Sequence, residues 1–156
     1  MLKMGNERPM DEKRVLFLCT GNYYRSRFAE LLFNHLMAQS AGGWSAFSRA
    51  LAIELGAWNV GPISVHTRNA CGVRGIAIAE PIAFPRRAEE EDFAAATRII
   101  AVKEAEHRAM VERRFPNWAG RVEYWHVHDL DAETPDDACT QIEQHVLSLI
   151  AELRGD

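Results

Sequence analysis

Val15-Leu16-Phe17-Leu18-Cys19-Thr20-Gly21-Asn22-Tyr23-Tyr24-Arg25-Ser26 is the stretch on which the architecture turns. Residues 15–18 form a short, wholly apolar run, the pattern of a strand covered on both faces. Residues 19–24 switch to a polar loop containing glycine. From 26 to 39 the apolar residues return at helical spacing, with Phe28, Leu32 and Leu36 marking successive turns. Strand, tight polar loop, helix is the opening of a βαβ unit.

The same alternation continues outward. Ala41-Gly42-Gly43 ends the first helix and residues 44–50 read as a second strand. A loop over 56–62 leads to a helix over 64–74, closed by Gly75. Pro81 and Pro85 bracket an irregular stretch before a short acidic helix over 88–95. Residues 98–102 give a third strand, 104–114 a helix and 122–127 a fourth strand. Thr134-Pro135-Asp136-Asp137 combines an N-cap, a proline at the first helical position and acids in the first turn. The helix it starts runs to about Leu153 and buries Ile142, Val146, Leu149 and Leu153. This order predicts an α/β fold: a four-stranded parallel sheet with helices on both faces, joined by right-handed crossovers. Ligands in such sheets sit beyond the carboxyl ends of the strands, here after Leu18 and after Val127.

With 156 residues, 47% of them hydrophobic and 26% charged, the chain has enough apolar material for one self-sufficient core. Residues 14–156 are expected to form that domain and residues 1–13 a loose tail. A net charge of −4 argues against nucleic-acid or membrane-surface partners while permitting a local basic pocket. Cys19, Cys71 and Cys139 are odd in number and widely spaced, which suits neither a disulfide framework nor a zinc site. The polar first dozen residues lack the apolar centre of a signal peptide. The expectation is a cytoplasmic protein that needs no metal or cofactor.

The loop itself carries chemistry. By composition, Cys followed by Arg six residues later arises about 0.3 times in such a chain; requiring Ser next and Gly at the second loop position lowers this below about one in a thousand. Residues curling around a helix N-terminus turn successive backbone N–H groups inward, where the helix dipole adds positive potential. Thr20, Gly21, Asn22, Tyr23, Tyr24, Arg25 and Ser26 are therefore the candidate anion-binding set. Gly21 permits a close turn and Asn22 tolerates a left-handed conformation. Arg25 offers a fork of donors to two oxygens of a phosphoryl group. The thiol of Cys19, at the centre of this field, is favoured as a thiolate and assisted by a hydrogen bond from Ser26.

VLFLCTGNYYRS and the helix RFAELLFNHL resemble the low-molecular-weight protein tyrosine phosphatases, whose signature C-x5-R-S follows the first strand. Phe47-Ser48-Arg49-Ala50, Trp58-Asn59-Val60-Gly61, Arg98-Ile99-Ile100-Ala101-Val102 and the W-x-V-x-D of Trp125 to Asp129 extend the resemblance over residues 14–154. It implies attack of Cys19 on a phosphomonoester, either a phosphotyrosine protein or a small aryl phosphate. A cysteinyl-phosphate forms, and an Asp protonates the leaving group and then activates water. Asp129 matches that acid, with Asp131 two residues on as the alternative. Acid catalysis by either predicts activity favouring mildly acidic pH.

The chain departs from the family pattern in several places. Leu130 stands in place of the usual proline after the acid. Tyr24 replaces a second loop cysteine, so peroxide should inactivate the protein without an intraloop disulfide. Tyr23 either stacks on a substrate ring or covers the loop, and Trp58 is the candidate for the opposite pocket wall. Residues 80–85 replace a polar stretch that supports the loop in relatives, which predicts weakened support and a lower rate. Two other functions remain in view: an arsenate reductase using an external thiol, and a phosphate- or phosphopeptide-binding module without turnover.

Overall fold

The computed structural model describes residues 13–40, 42–127 and 134–155. It contains β1 (Lys13–Cys19), α1 (Arg25–Met37), β2 (Trp44–Ala50), α2 (Val65–Val73), α3 (Glu90–Ala95), β3 (Arg98–Ala101), α4 (Glu104–Arg114), β4 (Val122–Tyr124) and α5 (Pro135–Leu153). Short 3₁₀ turns occupy Ile53–Gly56 and Pro116–Arg121. Lys13, which the sequence reading gave to the tail, already lies in β1 opposite Trp44; residues 1–12 of that tail fall outside the described residues.

The four strands form one sheet in the order β2-β1-β3-β4, with each neighbouring pair parallel. Alternation along β1 explains why its run is apolar throughout. Val15, Phe17 and Cys19 face one core with Phe28, Leu32 and Phe33 of α1 and Ile142, Val146 and Leu149 of α5. Leu16 and Leu18 face the other, with Phe47, Phe93, Ile99, Val111 and Val122. Burying side chains of this size is worth about 1.5–3 kcal/mol each, which makes the central strand the anchor of both layers.

β4 is shorter than the 122–127 run suggested. Its regular ladder ends at Tyr124, although the chain stays bonded alongside: Trp125 N–H donates to Ala101 O at 2.9 Å and Val127 N–H to Val102 O at 2.9 Å. The α5 cap forms as read, with Thr134 Oγ1 accepting from the Asp137 N–H at 3.1 Å. Leu153, expected in the core, is only partly buried at the helix end.

Because β2 lies on one side of β1 and β3 on the other, chain direction across the sheet reverses at β1 and β3. A crevice opens beyond their carboxyl ends at such a reversal. Cys19 and the start of α4 both stand at its mouth.

Candidate active site

The loop from Cys19 to Arg25 is held by its carbonyls. Cys19 O accepts from Leu51 N–H at 2.9 Å, Thr20 O from Ala52 N–H at 2.9 Å and Tyr23 O from Ser64 N–H at 3.0 Å. Tyr24 O accepts from Phe28 N–H at 3.0 Å and from Thr67 Oγ1 at 3.1 Å, and Asn22 O from the Arg27 guanidinium at 3.5 Å. A trans peptide directs its C=O and N–H oppositely. Carbonyls tied outward therefore turn the N–H groups of Thr20, Gly21, Tyr23, Tyr24 and Arg25 away from those partners, toward the hollow of the loop. The N-terminus of α1 beneath it has no side-chain cap and no acid in its own first turn, so no residue of the helix itself offsets its dipole there.

Asn22 is the pin of this arrangement. It adopts φ 53°, the left-handed conformation that asparagine tolerates, and its side chain is buried. Nδ2 donates to Ser26 Oγ at 2.9 Å and to Ser48 Oγ at 2.9 Å, while Oδ1 accepts from the Arg86 N–H at 3.0 Å. Ser48 donates in turn to Glu30 Oε1 at 2.5 Å. Burial pushes the Glu30 carboxyl above its ordinary value, although that bond and nearby Arg27 and Arg49 oppose the shift. Ser26 Oγ, already accepting from Asn22, lies 3.0 Å from Cys19 Sγ, a distance at which its hydroxyl can donate to a sulfur anion. The two atoms expected to share a hydrogen bond are within reach of one another. Asn22 and Ser26 thus act from behind the loop; neither side chain lines the cavity.

The sequence expectation is weakened support from residues 80–85; within that stretch and at the adjoining Arg86 the structure shows contacts to the loop and its helix. They come from the main chain: besides the Arg86 N–H, the Ala83 carbonyl accepts from Arg27 at 2.8 Å, and Arg27 also reaches Pro62 O at 3.1 Å. Backbone groups carry no sequence signature, so replacement of the polar stretch hid them.

In front of the loop lies a cavity of about 840 Å³ lined by Cys19, Thr20, Gly21, Tyr23, Tyr24 and Arg25, with Leu55, Val60, Ile63 and Val65 opposite. That size accommodates a drug-sized or amino-acid ligand. Tyr23 is fixed rather than loose, its hydroxyl donating to Val60 O at 2.6 Å. Trp58 is not a wall. It is 94% exposed and does not line the cavity. The 3₁₀ turn and the Asn59 N–H to Gly56 O bond of 3.0 Å roll the segment so that Asn59, not Trp58, faces the loop. Asn59 packs so close that a Cβ on Gly56 would stand 2.7 Å from its Nδ2. Asp129 and Asp131 lie outside the described residues.

Two residues that the sequence reading passed over complete the site. Glu106, in the first turn of α4, also lines the cavity and faces Arg25: NH1 donates to Oε1 at 3.3 Å and NH2 to Oε2 at 3.2 Å. Thr20 Oγ1 donates to Glu106 Oε2 as well. Burial opposes ionisation of Glu106, but hydrogen bonds from His107, Arg25 and Thr20 overcome it and hold the carboxyl well below its ordinary range. His107 is wholly buried, and its Nδ1 accepts from the Lys103 N–H at 3.1 Å. The ring proton therefore sits on Nε2, which is 3.3 Å from Glu106 Oε2 and 3.2 Å from Thr20 Oγ1. The rule that ligands gather at strand ends applies equally to the third strand, and Glu106 stands just beyond it.

Cys71 and Cys139 lie in the core below Tyr24, whose hydroxyl is 3.8 Å from Cys139 Sγ. Burial pushes the Cys71 thiol up to about 11 and the Cys139 thiol upward as well.

The sequence model of the low molecular weight phosphotyrosine protein phosphatases matches residues 14–156. The chain belongs to that family. Solved structures agree on the fold of this family phosphatase. YfkJ from Bacillus subtilis superposes with a TM-score of 0.79 at 23% identity, over 97% of this chain and 98% of that one. A low molecular weight protein tyrosine phosphatase from T. tengcongensis gives 0.72 at 25% identity over 92% and 98%. YwlE, an arginine phosphatase from Geobacillus stearothermophilus, gives 0.73 at 22% identity over 92% and 94%. Comparison with curated protein sequences found no match. No helix among the described residues is long and apolar enough to cross a membrane.

Proposed function

We propose that this family phosphatase hydrolyses aryl phosphomonoesters, phosphotyrosine in a protein being the natural class, through a cysteinyl-phosphate on Cys19. The observation that carries the reading is the position of Cys19 Sγ, 3.0 Å from Ser26 Oγ, at the floor of a loop where the carbonyls of Cys19, Thr20, Asn22, Tyr23 and Tyr24 are drawn outward. The thiolate attacks phosphorus in line with the ester oxygen; the S–P bond forms as the P–O bond to the ring breaks. Inward N–H groups and Arg25 take up the charge that spreads over the equatorial oxygens. Asp129 is assigned the proton delivered to the departing phenolate. The same carboxylate then accepts a proton from water as it attacks phosphorus, breaking the S–P bond and releasing inorganic phosphate.

The cavity wall favours a ring over a guanidinium. Tyr23, Leu55, Val60, Ile63 and Val65 offer apolar surface, and the one carboxylate among the described lining residues, Glu106, is already engaged by Arg25 and Thr20. Likeness to an arginine phosphatase makes phosphoarginine the competing substrate. The test compares wild type, Cys19→Ser, Asp129→Ala and Asp131→Ala on p-nitrophenyl phosphate, phosphotyrosine and phosphoarginine across pH. Expected are loss of turnover in the first variant, a fall of about 10²–10⁴-fold in the second and a small change in the third. Faster turnover of phosphoarginine than of phosphotyrosine by wild type would reverse the substrate choice. Equal losses at both aspartates would undo the assignment of the acid.

A further inference from the structure

Arg25 is only 7% exposed, and a guanidinium that deep needs a fixed partner whether or not phosphate is present. Glu106 supplies it. Its two oxygens take one N–H from each terminal nitrogen of Arg25, at 3.3 and 3.2 Å, in a side-by-side pair. Those bonds use two of the five donors of the guanidinium and orient its plane. The carboxylate is itself fixed from two further directions, by the hydroxyl of Thr20 and by Nε2–H of His107. His107 cannot turn, because its Nδ1 holds the Lys103 N–H at 3.1 Å and its side chain is sealed in the core. A chain of hydrogen bonds thus runs from the backbone of Lys103 through His107 and Glu106 to Arg25 and the first loop residue. Its position in the first turn of α4 adds the favourable end of that helix dipole to the anion.

Resting on the phosphate-handling reading of this loop, we infer that Glu106 is a positioning residue: it locks the Arg25 guanidinium and the Thr20 end of the loop in the orientation that receives a phosphoryl group. The alternative is an electrostatic plug, in which the carboxylate occupies the cation of an empty cradle and must be displaced. The geometry disfavours the plug. A plug would be held by the loop alone, whereas Glu106 is also held from behind by a buried neutral histidine that does not belong to the loop.

The two roles predict opposite signs for anion affinity. In Glu106→Ala, kcat for p-nitrophenyl phosphate should fall about 10–100-fold while KM and the inhibition constant of inorganic phosphate rise several-fold. Glu106→Gln, which keeps the shape and one acceptor, should fall between wild type and Ala. In an Arg25→Lys background the further Glu106→Ala change should cost little, since the fork it orients is gone. Circular dichroism and thermal melting separate these effects from misfolding. Tighter phosphate binding in Glu106→Ala or Glu106→Gln would overturn the inference in favour of the plug. So would an unchanged kcat in folded Glu106→Ala, or full additivity with Arg25→Lys. If wild type itself hydrolyses none of the phosphate esters, the proposed function fails. Calorimetric binding of orthovanadate to wild type and Glu106→Ala then still decides this point, equal affinity counting against it.

Discussion

Asn22 combines two demands that single substitutions can separate. Its backbone is left-handed at φ 53°, and its amide joins Ser26, Ser48 and Arg86. Glycine satisfies the first demand, and neither glycine nor alanine supplies the amide. Asn22→Ala should destabilise the fold by about 2–4 kcal/mol, the sum of a strained conformation and unpaired buried partners. Asn22→Gly should be less damaging by about 1 kcal/mol. Both should lose turnover alike, because Ser26 then has no donor fixing the direction of its proton toward Cys19. Chemical denaturation and steady-state rates on the same samples check the split; equal stabilities would show that the conformation carries no cost there. At this scale the sequence disclosed what local spacing encodes. Cys19, Asn22, Arg25 and Ser26 were legible because they fall within one short stretch from the end of β1 to the start of α1. Glu106 and His107 were not, since 80 or more residues separate them from Arg25 and only the pairing of β1 with β3 joins them. Trp58 misled for the opposite reason. Its large ring suggested a wall, but a 3₁₀ turn, which leaves little trace in hydrophobic periodicity, decides which side chain of that segment faces inward.

Elements were readable wherever both burial and punctuation agreed. β1, β2 and α5 follow from apolar runs, glycine stops and the Thr134 cap, whereas β4 was read too long because the apolar pattern continues after its ladder ends. The cap of α5 also fixes the chain at the end of the segment that carries Asp129 and Asp131. Thr134→Ala should lower stability by about 1 kcal/mol, as seen for comparable caps, in a denaturant titration. Thr134→Ser should retain most of it, because either hydroxyl can accept from the Asp137 N–H at this position. A loss confined to the alanine variant identifies the hydrogen bond, not the methyl group, as the source.

For the molecule as a whole, the buried His107 and the half-buried His145 set a pH dependence of stability. Burial lowers His107 below its ordinary 6.5, with Arg25 and Lys103 acting the same way and Glu106 opposing them. His145, stacked on Trp125 at 4.7 Å between ring centroids, is lowered by burial and by His126. Between the unfolded value and these lower native values the unfolded chain binds more protons, so stability is full above about pH 7 and declines as pH falls through 6.5. Each histidine contributes at most about 1.4 kcal/mol per pH unit of that descent. Glu30, raised in the native state, works the other way and partly offsets it toward the acid end. Melting temperatures of wild type should therefore drop from pH 7.5 to 5.5, and less steeply in His107→Gln; an unchanged slope in that variant would remove His107 as a source.

The depth at which Cys71 and Cys139 lie has a practical outcome. With those sulfurs sealed among side chains and kept protonated, the native chain should behave toward a small haloacetamide as though it held a single cysteine. Intact-mass spectra should show one adduct, its growth tracking the loss of activity one for one and slowing when inorganic phosphate fills the cradle. That lets the fraction of competent molecules in any preparation be counted by mass alone.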